Sequence, residues 1–201
     1  MKKILTLLFA LCSLSISAQT SKGSFMIGGN GSLGFNNNDH DGAGEFNSTS
    51  LSLSPTVGYF FVKNFSAGLY VPFEISWSTT KIPSLQSEYD GDGHSYGVAP
   101  FVRYYIPVKS LFIVTQASYG WYYMKNSYEN FDPNTGAVTG SNEWTNKYRT
   151  FSLAAGPAFF LSHYTSIEVL ANYQHGDYDT FDQSQFYISV GFQIYLPSDR
   201  D

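Results

Sequence analysis

LSLSPTVGYFFVKNFSAGLYVPFEISWS, residues 51–78, decides how this chain folds. Leu51, Leu53, Val57 and Tyr59 alternate with Ser52, Ser54, Thr56 and Gly58. After Lys63-Asn64, the apolar set Phe65, Ala67, Leu69, Val71, Phe73, Ile75 and Trp77 alternates with Ser66, Gly68, Tyr70, Glu74 and Ser76. A period of two is that of a β-strand, whose successive side chains point to opposite faces. The stretch reads as two long strands joined by a tight turn, one face apolar and the other small and polar.

The same cadence runs through the rest of the chain. It predicts eight strands at about 24–36, 48–62, 64–78, 94–107, 110–125, 145–161, 164–175 and 184–197. The connections are of two kinds that take turns. Long segments rich in Gly, Asn and Asp lie at 37–47, 79–93, 126–144 and 176–183, and short ones near Lys63-Asn64, Val108-Lys109 and Ser162-His163. Four long external loops on one side, with three short turns and both termini on the other, describe an antiparallel up-and-down meander. Outer-membrane barrels sort their connections in this way. The expected fold is all-β, an eight-stranded antiparallel transmembrane β-barrel spanning residues 19–201 with short periplasmic turns.

The first residues agree with export. Lys2 and Lys3 precede the apolar stretch Ile4–Leu14, and Ser17-Ala18-Gln19 offers a cleavage point after Ala18. This is the pattern of a signal peptide over residues 1–18. The apolar stretch is short of the roughly 20 residues a membrane helix needs. The chain's single cysteine, Cys12, falls inside that segment, so the mature protein is expected to carry neither disulfide nor thiol chemistry. Removing Lys2 and Lys3 makes the charge more negative than the −5 of the whole chain. An acidic barrel without a basic patch argues against nucleic acid as a partner.

The two faces of the strands divide sharply. Leu69, Val71, Phe73, Ile75 and Trp77 share one face, continued by Val98, Val102, Tyr104 and Ile106, and later by Ile188, Val190, Phe192 and Ile194. The other face carries Ser52, Ser54, Gly58, Gly68, Gln116, Ser118, Ser152, Asn172, Ser189 and Gln193. An oily core does not accept so many hydroxyls and amides unless each is paired. We therefore assign the apolar face to lipid and the polar face to the interior, where small residues leave room for Tyr70, Phe101, Tyr105 and Tyr195. Glu74, Arg103 and Glu168 fall on the inward face and are expected to form a buried charge cluster, because a lone charge there is costly. Aromatic residues gather near strand ends, Trp77 and Trp121 beside long loops and Tyr104 and Phe159 beside short turns. That is the placement of two interfacial girdles.

With these features in place, the chain resembles the small outer-membrane β-barrel proteins of Gram-negative bacteria, a group that includes OmpA-like and OmpX-like barrels. More narrowly it is similar to the porin-family "outer membrane beta-barrel domain" proteins of Bacteroidetes. The resemblance rests on SPTVGYFFVKNFSAGL at 54–69, VAPFVRYYIPVKSLFI at 98–113, LAAGPAFFLSHYTSIEVLANYQ at 153–174 and FYISVGFQIYL at 186–196. It implies a Gram-negative outer-membrane location, contact with lipid and lipopolysaccharide, insertion by the outer-membrane assembly machinery, and a monomer. It supplies no catalytic set. Such barrels often end on an aromatic residue, whereas this chain continues through Pro197-Ser198-Asp199-Arg200-Asp201.

The search for chemistry gives little. Lipid A-modifying barrels need a histidine, a serine and an acid near the outer rim, facing lipid. Of His40, His94, His163 and His175, three lie in or beside long loops, with Ser95 and Asp177 nearby, but no spacing selects them. Asp39-His40-Asp41 and Asp90-Gly91-Asp92-Gly93-His94 place carboxylates beside glycine, as a hard cation requires. They lack the twelve-residue calcium pattern and read as solvated loop residues. Gly28-Gly29-Asn30-Gly31 is followed by no helix, so it is no phosphate cradle, and no cofactor motif is present. The expected function is a non-enzymatic barrel with a plugged polar interior and a structural or cell-surface role, any surface ligand meeting the 126–144 loop. The alternatives are a small ion-conducting pore, a lipid A-modifying enzyme and a soluble periplasmic barrel.

Overall fold

The computed structural model describes residues 20–40, 44–82, 87–109, 111–132, 137–178 and 182–198; the expected signal peptide lies outside them. Nine strands follow in order: β1 (Phe25–His40), β2 (Gly44–Val62), β3 (Phe65–Tyr70), β4 (Phe73–Ile82), β5 (Ser87–Val108), β6 (Leu111–Phe131), β7 (Val138–Phe160), β8 (Thr165–Tyr178) and β9 (Asp182–Leu196). The strands β3 and β4 lie end to end between β2 and β5, so the ring has eight staves. Every neighbour is antiparallel, and β1 pairs with both β2 and β9, which closes the sheet into a barrel.

The break between β3 and β4 falls at Val71-Pro72, where proline has no N–H to give to a ladder. The backbone is satisfied locally: the Val71 N–H donates to the Pro55 carbonyl at 2.9 Å, and the Pro72 carbonyl accepts from the Gly97 N–H at 3.1 Å. The expected single strand 64–78 is thus two strands in one stave. The short turns stand where the sequence places them. Asn64 and Lys109 take positive φ of 66° and 49°. A non-glycine residue adopts this left-handed conformation at a cost that asparagine bears best.

The long connections differ from the reading of them as loops. The strands run on through most of each one: β1 to His40 and β2 from Gly44, β4 to Ile82 and β5 from Ser87, β6 to Phe131 and β7 from Val138, β8 to Tyr178 and β9 from Asp182. Polar residues that look like loop in isolation are hydrogen-bonded hairpin once register is fixed by the strands below. A membrane strand needs about 9–11 residues, so staves of this length project as paired hairpins beyond the bilayer.

The faces are divided as the alternation requires. Leu69, Val71, Phe73, Ile75 and Trp77 are exposed, as are Val102, Tyr104, Ile106, Val190, Phe192 and Ile194. The interior holds Met26, Phe60, Phe101, Tyr105, Phe112, Val114, Phe160, Leu170 and Tyr195. Small residues set its packing. Gly58, Gly68 and Phe101 stand in one row across β2, β3 and β5. A Cβ on Gly58 or Gly68 would come within 3.3 or 2.8 Å of the Phe101 ring tip. Glycine on two neighbouring staves is what lets a large ring point inward in so narrow a barrel.

Candidate functional site

The interior has two levels. At the short-turn end it is filled. Phe60, Tyr105, Phe112, Phe160 and Tyr195 form a chain of rings, with centroids 5.7 Å apart for Phe60–Tyr105, 5.2 Å for Phe112–Phe160 and 5.1 Å for Phe160–Tyr195. Within this aromatic plug sits an ion pair. Arg103 Nη1 lies 2.9 Å from Glu168 Oε2, and the two residues are 1% and 0% exposed. The rest of the guanidinium is also engaged: Nε and Nη2 both donate to Gln116 Oε1, at 2.8 and 2.6 Å. The Tyr105 hydroxyl accepts from Arg103 Nη1 and donates to Glu168 Oε1, both at 3.1 Å. Tyr195 and Gln193 reach the same carboxylate at 3.5 Å. The pair meets the condition under which buried charges persist, namely a partner plus hydrogen bonds on the remaining sites.

The expected three-member cluster is corrected by this geometry. Arg103 and Glu168 come together, but Glu74 does not join them. Arg103 stands in a row with Ser66 and Gln116, close to the short turns, whereas Glu74 on β4 stands in a row with Ser52 and Ser95, beyond the Pro72 break. Facing inward is a matter of period two; height along the stave depends on where each strand begins. Among the described residues Glu74 forms no ion pair.

Glu74 lines the second level, a polar cavity of about 260 Å³ toward the long-hairpin end. Tyr122, Tyr148 and Tyr178 are stacked along its wall, with centroids 5.1 and 4.4 Å apart and rings within 18° and 17° of parallel. The Tyr70 hydroxyl lies 3.0 Å from Ser118 Oγ and 3.5 Å from the Tyr122 hydroxyl, between the cavity and the plug. The sequence places Tyr122 and Tyr148 among the strand-end aromatics of a girdle, whereas the structure turns them inward into a stack. Their signal was there in the inward parity of Tyr122 and Tyr148, but the neighbour on β8 lies in the 176–183 segment read as loop.

The remaining candidates disperse. His163 is exposed in the β7–β8 turn, and of His40 only the backbone is described. Asp90, Asp92 and His94 alternate with Gly91 and Gly93 along β5, so they lie in a line rather than converging. Thr79 Oγ1 donates to Asp90 at 3.0 Å. Asp41 lies outside the described residues, and among those described no three metal-binding side chains form a group. Ser95 points inward, away from His94. His175 Nδ1 is 2.9 Å from Ser184 Oγ on the outer face, a contact the sequence reading missed because the two are on different strands. Ser184 Oγ is also 3.2 Å from the Tyr173 hydroxyl. Asp177 is 3.8 Å from Arg149 instead of orienting the histidine. Residues 126–131 on β6 and 138–144 on β7 pair with one another, and beside them Lys125 Nζ meets Glu143 Oε1 at 2.8 Å. That hydrogen bond holds the Lys125 ammonium above the ordinary amine range.

A closed ring of eight strands, apolar outside and holding a buried ion pair, an aromatic plug and a polar cavity within, defines a transmembrane β-barrel. The chain belongs to the outer membrane protein beta-barrel domain family, whose model matches residues 4–193. That family places it in the outer membrane of a Gram-negative bacterium. Among solved structures it is similar to Ail, the attachment invasion locus protein of Yersinia pestis, at 15% identity, covering 87% of this chain and 99% of that one with a TM-score of 0.43. It is similar also to the N-terminal β-barrel domain of Pseudomonas aeruginosa OprF, at 10% identity over 87% and 98% of the two chains, TM-score 0.39. The neisserial surface protein A is similar at 10% identity over 88% and 100%, TM-score 0.41. No curated protein matches the sequence.

Proposed function

We propose that this protein is a non-conducting, monomeric outer-membrane scaffold whose external hairpins make the contacts at the cell surface. The observation that carries the reading is the plug: Arg103 and Glu168 are paired in a fully buried ring of aromatic side chains at the short-turn end. An ion crossing the barrel would have to separate that pair and displace Tyr105 and Tyr195. The hairpin of β6 and β7, the longest pair of strands, supplies the surface for a partner. Lipid and lipopolysaccharide surround the apolar face, and the outer-membrane assembly machinery delivers the chain. The His175–Ser184 contact is the one observation that favours a lipid-modifying enzyme. Among the described residues no carboxylate orients His175 as a base requires, which supports reading the protein as a non-enzyme.

The test is electrical. Refolded protein lacking residues 1–18 is reconstituted in a planar bilayer after its folding is checked by heat-shifted gel mobility. Insertion without steady current is expected. A steady current altered by Arg103→Ala would make the barrel a pore.

A further inference from the structure

The barrel wall is not closed to its full height. The seam between β1 and β9 pairs Phe25–Gly31 with Val190–Leu196 and stops there. Above that point β1 stays paired to β2 as far as His40, and β9 to β8 as far as Asp182, but the two edges no longer pair with each other. Exposed, unpaired strand edges do not occur against hydrocarbon; they are tolerated where they line a polar cavity. These edges do so. Ser32 and Gly34 on one lip, and Gln185 and Tyr187 on the other, line the same cavity as Glu74.

The outside of the opening is apolar. Leu33 and Phe35 on β1 and Phe186 and Ile188 on β9 are 62%, 79%, 82% and 67% exposed, more than any other large apolar residue described. They stand about as many residues above the short-turn end as the strands need to cross hydrocarbon, which sets the opening at the outer leaflet. Directly below it, Gly29 and Gly31 put no side chain on the lipid face. Leu53 and Pro55 on one side and Val190 and Phe192 on the other flank the resulting groove, about 430 Å³ in volume. An apolar groove therefore leads up to a lateral opening, and the opening leads to a carboxylate with no cationic partner among the described residues. Stacked tyrosine rings beside a carboxylate favour a positively charged head.

We propose that this seam is a binding site for a cationic amphiphile: its alkyl chain lies in the groove over Gly29 and Gly31, and its ammonium head passes between β1 and β9 to Glu74. The proposal is separate from the role of the external hairpins. It shares with the closed-barrel reading only the plug beneath the cavity.

The test uses ¹⁵N-labelled refolded protein in neutral maltoside micelles, titrated with decyltrimethylammonium. Saturable shifts are expected at the amides of Ser95, Tyr148 and Tyr187. Glu74→Gln should weaken binding at least tenfold, and Gly31→Leu, which fills the groove, at least fivefold. Butyltrimethylammonium, with too short a chain, and decyl sulfate, with the wrong charge, should bind at least tenfold more weakly. Equal response of wild type and E74Q, equal binding of decyl sulfate, or shifts confined to the outer face would overturn the proposal. A Gly31→Leu protein that does not refold leaves the E74Q comparison to decide. Channel current fails the closed-barrel reading by itself, because the amphiphile titration reads a different site.

Discussion

Removing Glu168 tests whether the plug is as dry as its geometry says. In Glu168→Ala the Arg103 guanidinium, 1% exposed, keeps Gln116 Oε1 and the Tyr105 hydroxyl as acceptors but loses its counter-charge. It is held away from water, with the Phe101 and Tyr105 ring centroids 5.4 and 6.0 Å from its Cζ. Breaking a buried pair from one side costs about 3–5 kcal/mol, since the remaining charge stays buried. Replacing both partners by apolar residues of similar size is often neutral or stabilising by about 1–4 kcal/mol. The expected order is therefore E168A far below wild type, with Arg103→Met/Glu168→Leu near wild type or above it. Urea unfolding of the refolded barrel in lipid vesicles, followed by the heat-shifted gel band, measures both. A loss under about 1 kcal/mol in E168A would mean that water reaches the pair. A double variant as unstable as the two single losses combined would mean that the pair itself, rather than its burial, holds the plug.

Three further outcomes follow from the same geometry. A Cβ at Gly68 would collide with the Val57 carbonyl oxygen and approach Gly58 Cα at 2.7 Å, so Gly68→Ala should cost about 1–3 kcal/mol in the same unfolding assay. Gly140 has open space around its Cβ position, and Gly140→Ala should stay within about 0.5 kcal/mol of wild type. Asn64 takes φ of 66° and its side chain accepts a hydrogen bond from Thr20 Oγ1. Asn64→Val should lose about 1–2 kcal/mol for the left-handed backbone alone, with a further loss for the bond. Asn64→Gly should lose only the bond, so equal losses in the two variants would remove the backbone argument.

The fold was legible because period two and the sorting of connections act on the whole chain at once. Residues 64–78 declared their lipid face through Leu69, Val71, Phe73, Ile75 and Trp77, and the structure exposes all five. What stayed hidden depended on register between strands. Asp90-Gly91-Asp92-Gly93-His94 has turn composition, yet it pairs residue by residue with Ile75–Thr79 because β4 below it fixes the alignment. Glu74, Arg103 and Glu168 share a parity but not a height, so the sequence could group them and could not separate them. The seam opening was less legible still: nothing in Ser32 or Ser189 marks the point where β1 and β9 part.

The central claim is that this barrel turns its apolar face to lipid. Loss of Cys12 with residues 1–18 would leave the protein free of cysteine, so single cysteines can be read one at a time. The direct measurement places a fluorophore at each residue from 65 to 77 in refolded protein in vesicles and records quenching by a spin label confined to the acyl chains. Strong quenching at 69, 71, 73 and 75, with weak quenching at 66, 70, 74 and 76, is the expected result. Reversed alternation, or no dependence on position, would contradict the account.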